Sequence, residues 1–245
     1  MPKTYILGNW KMNQTQKDVN SFFDLIPTQD NNTYIGVAPQ AMHITTAQKN
    51  QKNIKVGAQN CSQHLNGAYT GEIGIEAIND LGIDFVLVGH SERRQYFNET
   101  NANINLKIKA LISNKTLPVL CIGESLEEFE SNKTNDVILG QLNEGLAQIN
   151  IASPNELVIA YEPVWAIGTG KTATPEQAEN VHKTIRQYLI ETYPDHGNDI
   201  SILYGGSVKP SNVEELLRME NINGALVGGA SLQPESFQKL CDATR

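Results

Sequence analysis

The sequence has 245 residues, of which 40% are hydrophobic and 19% charged, which is typical of a globular chain with a sizeable core and unlike a disordered or fibrous one. The formal net charge of -8 argues against binding to nucleic acid or to an anionic membrane, because both require a basic surface. The three cysteines show no zinc-binding or redox spacing. We therefore expect free thiols and a cytoplasmic protein, without a signal peptide or a membrane-spanning segment.

Short apolar runs rich in Val, Ile and Leu alternate along the chain with longer stretches of helical periodicity. We predict eight strands, at residues 5–10, 34–39, 54–61, 85–90, 117–123, 157–163, 200–206 and 225–229. Most runs are continuously apolar, as expected for parallel strands covered on both faces. Eight strand–helix units without a linker favour a single closed (β/α)8 barrel domain over residues 1–245, in preference to an open doubly wound sheet.

The helix predicted after the sixth strand has clear boundaries. Thr174 is placed as its N-cap, Pro175 as its first residue and Gln177 as the partner in a capping box. Tyr193 and Pro194 end it, because the residue before a proline is disfavoured in a helix.

In a parallel barrel, catalytic groups lie at the carboxyl ends of the strands and in the loops that follow. The polar and glycine residues at those predicted ends are Asn9, Lys11, His90, Ser91, Glu92, Glu162, Gly205, Gly206, Ser207, Gly228, Gly229 and Ala230. They include a base, an electrophile, a cation and two glycine pairs. Such glycines let backbone N–H groups approach a phosphate, although glycine pairs also make ordinary tight turns.

Each candidate also has a structural interpretation. His90 could be a half-buried histidine at a strand end, but the helix opening at Ser91 would keep its imidazole neutral and able to polarise a carbonyl. Glu162 could form a salt bridge, but its setting between Tyr161 and Pro163, before a loop that could exclude water, favours a general base. Lys11 could be a solvated lysine or could neutralise an enolate or phosphate.

The sequence also argues against a P-loop and against a metal site. Residues 168–172 imitate the end of a P-loop, but its first glycine would fall at Trp165, so a mobile lid is the better interpretation. The remaining histidines show no metal-ligand spacing, and we predict no metal and no cofactor.

Several longer motifs occur together in the chain. They are Gly8-Asn9-Trp10-Lys11-Met12-Asn13, Gly89-His90-Ser91-Glu92-Arg93-Arg94, Ala160-Tyr161-Glu162-Pro163-Val164-Trp165-Ala166-Ile167-Gly168-Thr169-Gly170-Lys171, Tyr204-Gly205-Gly206-Ser207-Val208 and Val227-Gly228-Gly229-Ala230-Ser231-Leu232. In order and spacing, across nearly the whole chain, the sequence resembles the triosephosphate isomerase family.

The resemblance implies roles for the candidate residues. Glu162 would move a proton between adjacent carbons of dihydroxyacetone phosphate or glyceraldehyde 3-phosphate through an enediolate, and His90 would shuttle protons between the two oxygens. A glutamate base with a neutral histidine electrophile is the established pairing in this family. Asn9 and Lys11 would stabilise the negative charge, Lys11 would also face the phosphate, and Glu92 would support that site.

The resemblance also implies binding and assembly. Backbone N–H groups at Gly168, Ser207 and Gly229 would bind the phosphate, with Gly228 beside it. A lid over residues 163–174 would close on the substrate; its key positions are Pro163, Trp165, Gly168, Gly170 and Thr174. Family members are usually homodimers, in which a loop corresponding to residues 63–74, with Thr70 at its tip, enters the neighbouring site. Gly74, in place of the usual serine, and residues 38–43 depart from the family pattern and concern subunit packing.

Two alternatives from other classes remain. A barrel aldolase would form a Schiff base through Lys11 or Lys171, although such a lysine normally lies buried within a strand. A non-catalytic sugar-phosphate binder would keep the barrel without turnover, although the complete set of Asn9, Lys11, His90 and Glu162 disfavours it.

Overall fold

The computed structural model describes residues 1–27, 33–166 and 172–244. Eight parallel strands form a closed barrel in chain order, with β1 paired to both β2 and β8. The strands are β1 Tyr5–Asn9, β2 Tyr34–Ala38, β3 Lys55–Ala58, β4 Phe85–Val88, β5 Leu117–Ile122, β6 Val158–Tyr161, β7 Ser201–Tyr204 and β8 Gly224–Val227. The helices in the described ranges are α1 Gln16–Leu25, α2 Ile44–Asn50, α3 Ile75–Asp80, α4 Ser91–Phe97, α5 Asn101–Ser113, α6 Leu126–Glu130, α7 Thr134–Gly145, α8 Pro175–Thr192, α9 Val213–Leu217 and α10 Pro234–Asp242.

Side chains along each strand alternate between the barrel interior and the layer beneath the helices. On β6, Val158 and Ala160 belong to the interior cluster, whereas Ile159 and Tyr161 pack in the outer layer. The same alternation directs residue 162 inward. The strand period therefore places a carboxylate at the mouth of the barrel and the Tyr161 ring outside it.

All eight predicted strands and the barrel are confirmed. The predicted carboxyl ends, however, run one to three residues too far, as at β4, which ends at Val88 rather than at residue 90. The cause at β4 is Gly89, whose φ of 75° leaves the extended conformation and ends the strand. The residues wrongly assigned to strands are largely those that build the site described below.

Helix α8 follows its sequence signals closely. The Thr174 hydroxyl accepts a hydrogen bond from the Gln177 N–H, and the Gln177 side chain accepts one from the Thr174 N–H at 2.9 Å, so the predicted capping box is confirmed. The helix ends at Thr192, directly before Tyr193 and Pro194. Throughout the described ranges, no helix has the length and apolar character needed to cross a membrane.

Helix α8 also buries a histidine that the site does not use. His182 is inaccessible to solvent, and its Nδ1 lies 3.1 Å from the carbonyl oxygen of Asn221, which can only accept, so Nδ1 carries a proton. Burial lowers the pKa of His182 from 6.5 to about 4. Between those values the unfolded chain binds a proton that the folded chain excludes, so stability falls as the pH falls.

We expect this histidine to make the protein acid-sensitive. Between pH 7.5 and pH 5.0, its contribution to the free energy of unfolding should fall by roughly 2 kcal/mol, at about 1.4 kcal/mol per pH unit below 6.5. Urea unfolding of the wild type and of His182→Gln at both pH values measures it. The other titrating groups are common to both proteins, so equal pH dependence in the two would contradict the prediction.

Candidate active site

A cavity of about 490 Å³ opens at the carboxyl ends of the strands. The predicted site residues that line it are Asn9, Lys11, His90, Glu162, Ser207, Gly228 and Gly229. An adjoining cavity of about 610 Å³ shares Asn9, Lys11 and His90 and adds Glu92. Residues more than 200 positions apart in the chain thus meet at one mouth of the barrel.

The centre of the cavity is a contact between a carboxylate and an imidazole. Glu162 Oε1 lies 3.1 Å from His90 Nε2, and Glu162 Oε2 accepts a hydrogen bond of 3.1 Å from the Ser91 N–H. Both side chains are almost completely buried, with residue exposures of 2% for Glu162 and 5% for His90. The carboxylate therefore has polar partners but little water, a setting suited to proton transfer.

The protonation state of His90 follows from its second ring nitrogen. His90 is the N-cap of α4, and its Nδ1 accepts a hydrogen bond of 3.2 Å from the Glu92 N–H. An acceptor nitrogen carries no proton, so these partners assign a neutral imidazole with its proton on Nε2. That Nε2–H points at Glu162 in this structure and is the group able to polarise a carbonyl oxygen.

Lys11 lies at the edge of the same cavity in an uncommon conformation. Its φ is 51°, in the left-handed region, and its N–H donates to Asn9 Oδ1 at 3.0 Å. Its ammonium group donates to Glu92 Oε1 at 2.6 Å. The Gln59 side chain donates to the Lys11 carbonyl oxygen at 2.8 Å and to the Ala38 carbonyl oxygen at 2.9 Å. Neighbouring strands thus hold the backbone that orients the cation.

Glycines form the far wall of the cavity. A Cβ added to Gly229 would meet no atom within 4 Å, and one added to Gly228 would meet only Lys11 Cε, at 3.6 Å. Gly228 and Gly229 therefore leave open space next to Lys11, where backbone N–H groups can approach an anion closely. Ser207, directly after the glycine pair that follows β7, completes this wall.

Other predicted positions lie elsewhere. Gly168 and Gly170 fall outside the described residues, whereas Pro163, Trp165 and Thr174 flank that gap. Thr70 is exposed in the connection between β3 and α3 and does not line the candidate active site. In the described parts of the chain, no group of three His, Cys, Asp or Glu side chains is arranged to hold a metal ion.

The sequence reasoning missed two supporting residues. Gln59 holds the Lys11 backbone, as described above, and gives no signal in the sequence because its partners lie far away in the chain. Glu124 is fully buried after β5 and accepts a hydrogen bond of 2.9 Å from the Trp165 indole, at the start of the predicted lid. Its position at a strand end could have drawn attention to it, by the rule that identified Glu162.

Fold and cavity together define a class. A closed (β/α)8 barrel whose mouth holds a buried carboxylate against a neutral imidazole, with a lysine and open glycines beside them, is a barrel enzyme of the acid–base type, suited to an anionic substrate.

Comparison with known proteins makes the assignment specific. The family model described as triosephosphate isomerase matches residues 4–244. The chain is 45% identical over 248 residues to the triosephosphate isomerase of Mesomycoplasma hyorhinis, with 98% of each chain covered. It is 46% identical over 245 residues to that of Endomicrobium trichonymphae and 47% identical over 243 residues to that of Mycoplasma capricolum subsp. capricolum, again with 98% of each chain covered. The chain belongs to the triosephosphate isomerase family.

Proposed function

We propose that Glu162 and His90 move the protons in the interconversion of dihydroxyacetone phosphate and D-glyceraldehyde 3-phosphate, the reaction of the family to which the chain belongs. The observation that carries this assignment is the 3.1 Å approach of Glu162 Oε1 to His90 Nε2 at a buried mouth of the barrel. A base and a proton donor within reach of one another can act on neighbouring atoms of one small substrate.

The chemistry follows from this geometry. When a substrate carbonyl oxygen accepts the Nε2–H of His90, Glu162 loses that partner and becomes available to a C–H bond. Glu162 removes a proton from C1 of dihydroxyacetone phosphate, the C1–C2 double bond forms, and negative charge develops on the C2 oxygen. His90 transfers a proton between the two oxygens, and protonated Glu162 returns its proton to C2. No electrons are gained or lost overall.

Charge stabilisation is assigned to residues at the edge of the cavity. We infer that Asn9 and the Lys11 ammonium stabilise the enediolate oxygens and that Lys11 also faces the phosphate, while Glu92 orients Lys11 through their 2.6 Å ion pair. Backbone N–H groups at Ser207 and Gly229, with Gly228 beside them, bind the phosphate. Gly168, outside the described residues, is assigned a further N–H on the basis of the resemblance.

A lid over residues 163–174 is part of the same proposal. Closure would exclude water from the enediolate, whose fate in an open site is loss of phosphate, and would strengthen every charge interaction inside. Both ends of the segment make hydrogen bonds to the barrel: the Trp165 indole donates to Glu124, and Thr174 caps α8.

Isomerisation in deuterium oxide tests the proton path. We expect conversion of dihydroxyacetone phosphate to yield glyceraldehyde 3-phosphate with deuterium at C2, because a carboxyl proton held by Glu162 exchanges with solvent. Proton NMR of the product measures the label. Binding of an enediolate-mimicking phosphate without any interconversion would instead support the sugar-phosphate binder. A covalent adduct trapped by borohydride would support the Schiff-base aldolase.

We also propose that the protein is a cytoplasmic homodimer. Several large apolar side chains that flank the candidate active site are strongly exposed, among them Met12 at 87%, Tyr96 at 67% and Phe97 at 65%. Exposed apolar groups in one area are typical of a protein interface, and Gly71 and Glu72, next to Thr70 in the predicted contact loop, line the same cavity as these side chains. The three buried free cysteines suit a reducing compartment.

Sedimentation velocity tests the assembly. We expect a species of twice the 27.0 kDa chain mass that persists on dilution to nanomolar concentration. A single species of 27.0 kDa at micromolar concentration would refute the dimer without affecting the assignment of Glu162 and His90.

A further inference from the structure

A second cavity, of about 520 Å³, lies on the other side of the barrel wall from the candidate active site and shares no lining residue with it. Its inner end is formed by Glu124 and Tyr161, and helices α7 and α8 supply its sides. Tyr161 and Glu162 are consecutive, so the strand period sends one side chain into each cavity. The proton transfer proposed for Glu162 and His90 takes place in the cavity inside the barrel.

In this second cavity, the Glu124 carboxylate has one oxygen that lacks a hydrogen-bond partner among the described residues. It is fully buried, and its Oε1 accepts hydrogen bonds from Trp165 Nε1 at 2.9 Å, Tyr161 Oη at 3.1 Å and Thr134 Oγ1 at 3.4 Å. Its Oε2 is also buried and has no hydrogen-bond partner among the described residues. An unpaired buried carboxylate oxygen is costly, and a donor at the inner end of the cavity would remove that cost.

The rest of the lining specifies the charge and shape of such a donor. Glu130 places a second carboxylate on the wall, and no Lys, Arg or His side chain belongs to the described lining. Anions are therefore disfavoured. The Phe129 and Trp165 rings stack with centroids 4.4 Å apart and an angle of 27° between their planes, and Val181 adds apolar surface. Aromatic faces bind flat cations well.

We propose that this cavity binds a small planar organic cation of the guanidinium or amidinium class. One N–H of the cation donates to Glu124 Oε2 once the carboxylate rotates to bring that buried oxygen to the cavity, and the body of the ligand lies against the Phe129 and Trp165 rings. The positive charge is matched by Glu124 and Glu130 together. The proposal concerns binding alone and does not depend on the roles of Glu162 and His90.

Benzamidine is a suitable probe, with uncharged benzamide as its near-isosteric control. The two tryptophans of the chain, Trp10 and Trp165, give separate indole N–H signals in ¹⁵N NMR spectra. We expect benzamidine to shift the Trp165 signal to saturation while Trp10, buried elsewhere in the core, stays unmoved. Benzamide should bind at least about tenfold more weakly, since the ion pair and the charge-assisted hydrogen bond are absent.

Three variants complete the test. Glu124→Gln keeps an acceptor for Trp165 but removes the charge, and should weaken benzamidine binding at least about tenfold; Glu130→Gln should weaken it severalfold. Glu127→Gln removes the same charge from α6 at an exposed position outside the cavity and should bind as the wild type does. Equal binding of benzamidine and benzamide to the wild type, or full affinity in folded Glu124→Gln, would overturn the proposal. The wild-type comparison decides the matter if Glu124→Gln does not fold.

Discussion

We expect Glu162→Gln to lower kcat at least about a hundredfold, the lower range for the loss of a general base. The amide cannot accept a proton from carbon at neutral pH, yet it has nearly the same size and keeps an oxygen that can accept the Ser91 N–H. KM should change far less than kcat, because the phosphate and carbonyl partners remain in place. Steady-state kinetics in both directions, with circular dichroism to establish folding, measure the effect.

A matched variant separates the role of the base from the removal of a carboxylate as such. Glu235 is exposed in the first turn of α10 and lines neither cavity of the candidate active site, so Glu235→Gln should retain wild-type kcat. If folded Glu162→Gln turned over within about tenfold of the wild type, another group would have to be the base, and the assignment of Glu162 would be wrong.

The sequence predicted the barrel well because the signal for it is local and repeated. Each strand is buried on both faces and therefore reads as a short continuous apolar run, and eight such runs leave few other architectures. The capping box at Thr174 was predicted for the same reason, since its partners are three residues apart.

His90 shows where strand periodicity stops being informative. Phe85 and Leu87 face the barrel interior, so strict alternation would direct residue 90 outward. His90 nevertheless lies 3.1 Å from Glu162, because Gly89, with its φ of 75°, takes the chain out of the strand conformation. The motif identified the residue, but only the backbone conformation places its ring in the cavity.

Side-chain contacts between distant segments were beyond prediction. The Gln59 bonds to Lys11 and Ala38 span 48 and 21 positions of sequence, and the Glu124 bond to Trp165 spans 41. No periodicity or local motif encodes such pairs, because they depend on how neighbouring strand ends meet around the barrel. The roles of Gly168 and Gly170 and the contact of Thr70 across an interface stay predictions.

Gly123 allows the ends of β5 and β6 to meet closely, and we expect Gly123→Ala to cost at least about 3 kcal/mol of stability. A Cβ there would overlap the carbonyl group of Glu162, and backbone atoms cannot rotate away. Hydrogen bonds restrict the backbone on both sides of this contact. The Gly123 N–H donates to the Gln141 side chain at 2.8 Å, and that side chain donates to the Gly123 carbonyl oxygen at 3.0 Å. The Glu162 N–H donates to the Ile122 carbonyl oxygen at 2.7 Å. Displacement of Glu162 should also lower kcat at least about tenfold.

Gly140→Ala is the matched control, with the same atom added to another glycine. Gly140 lies within α7, where a Cβ would meet nothing within 4 Å, and alanine favours a helix over glycine by up to about 1 kcal/mol. Urea unfolding should therefore move in opposite directions in the two variants, with kcat unchanged in Gly140→Ala. If Gly123→Ala were as stable and active as the wild type, the close packing of the β5 and β6 ends would not be what holds Glu162 against His90.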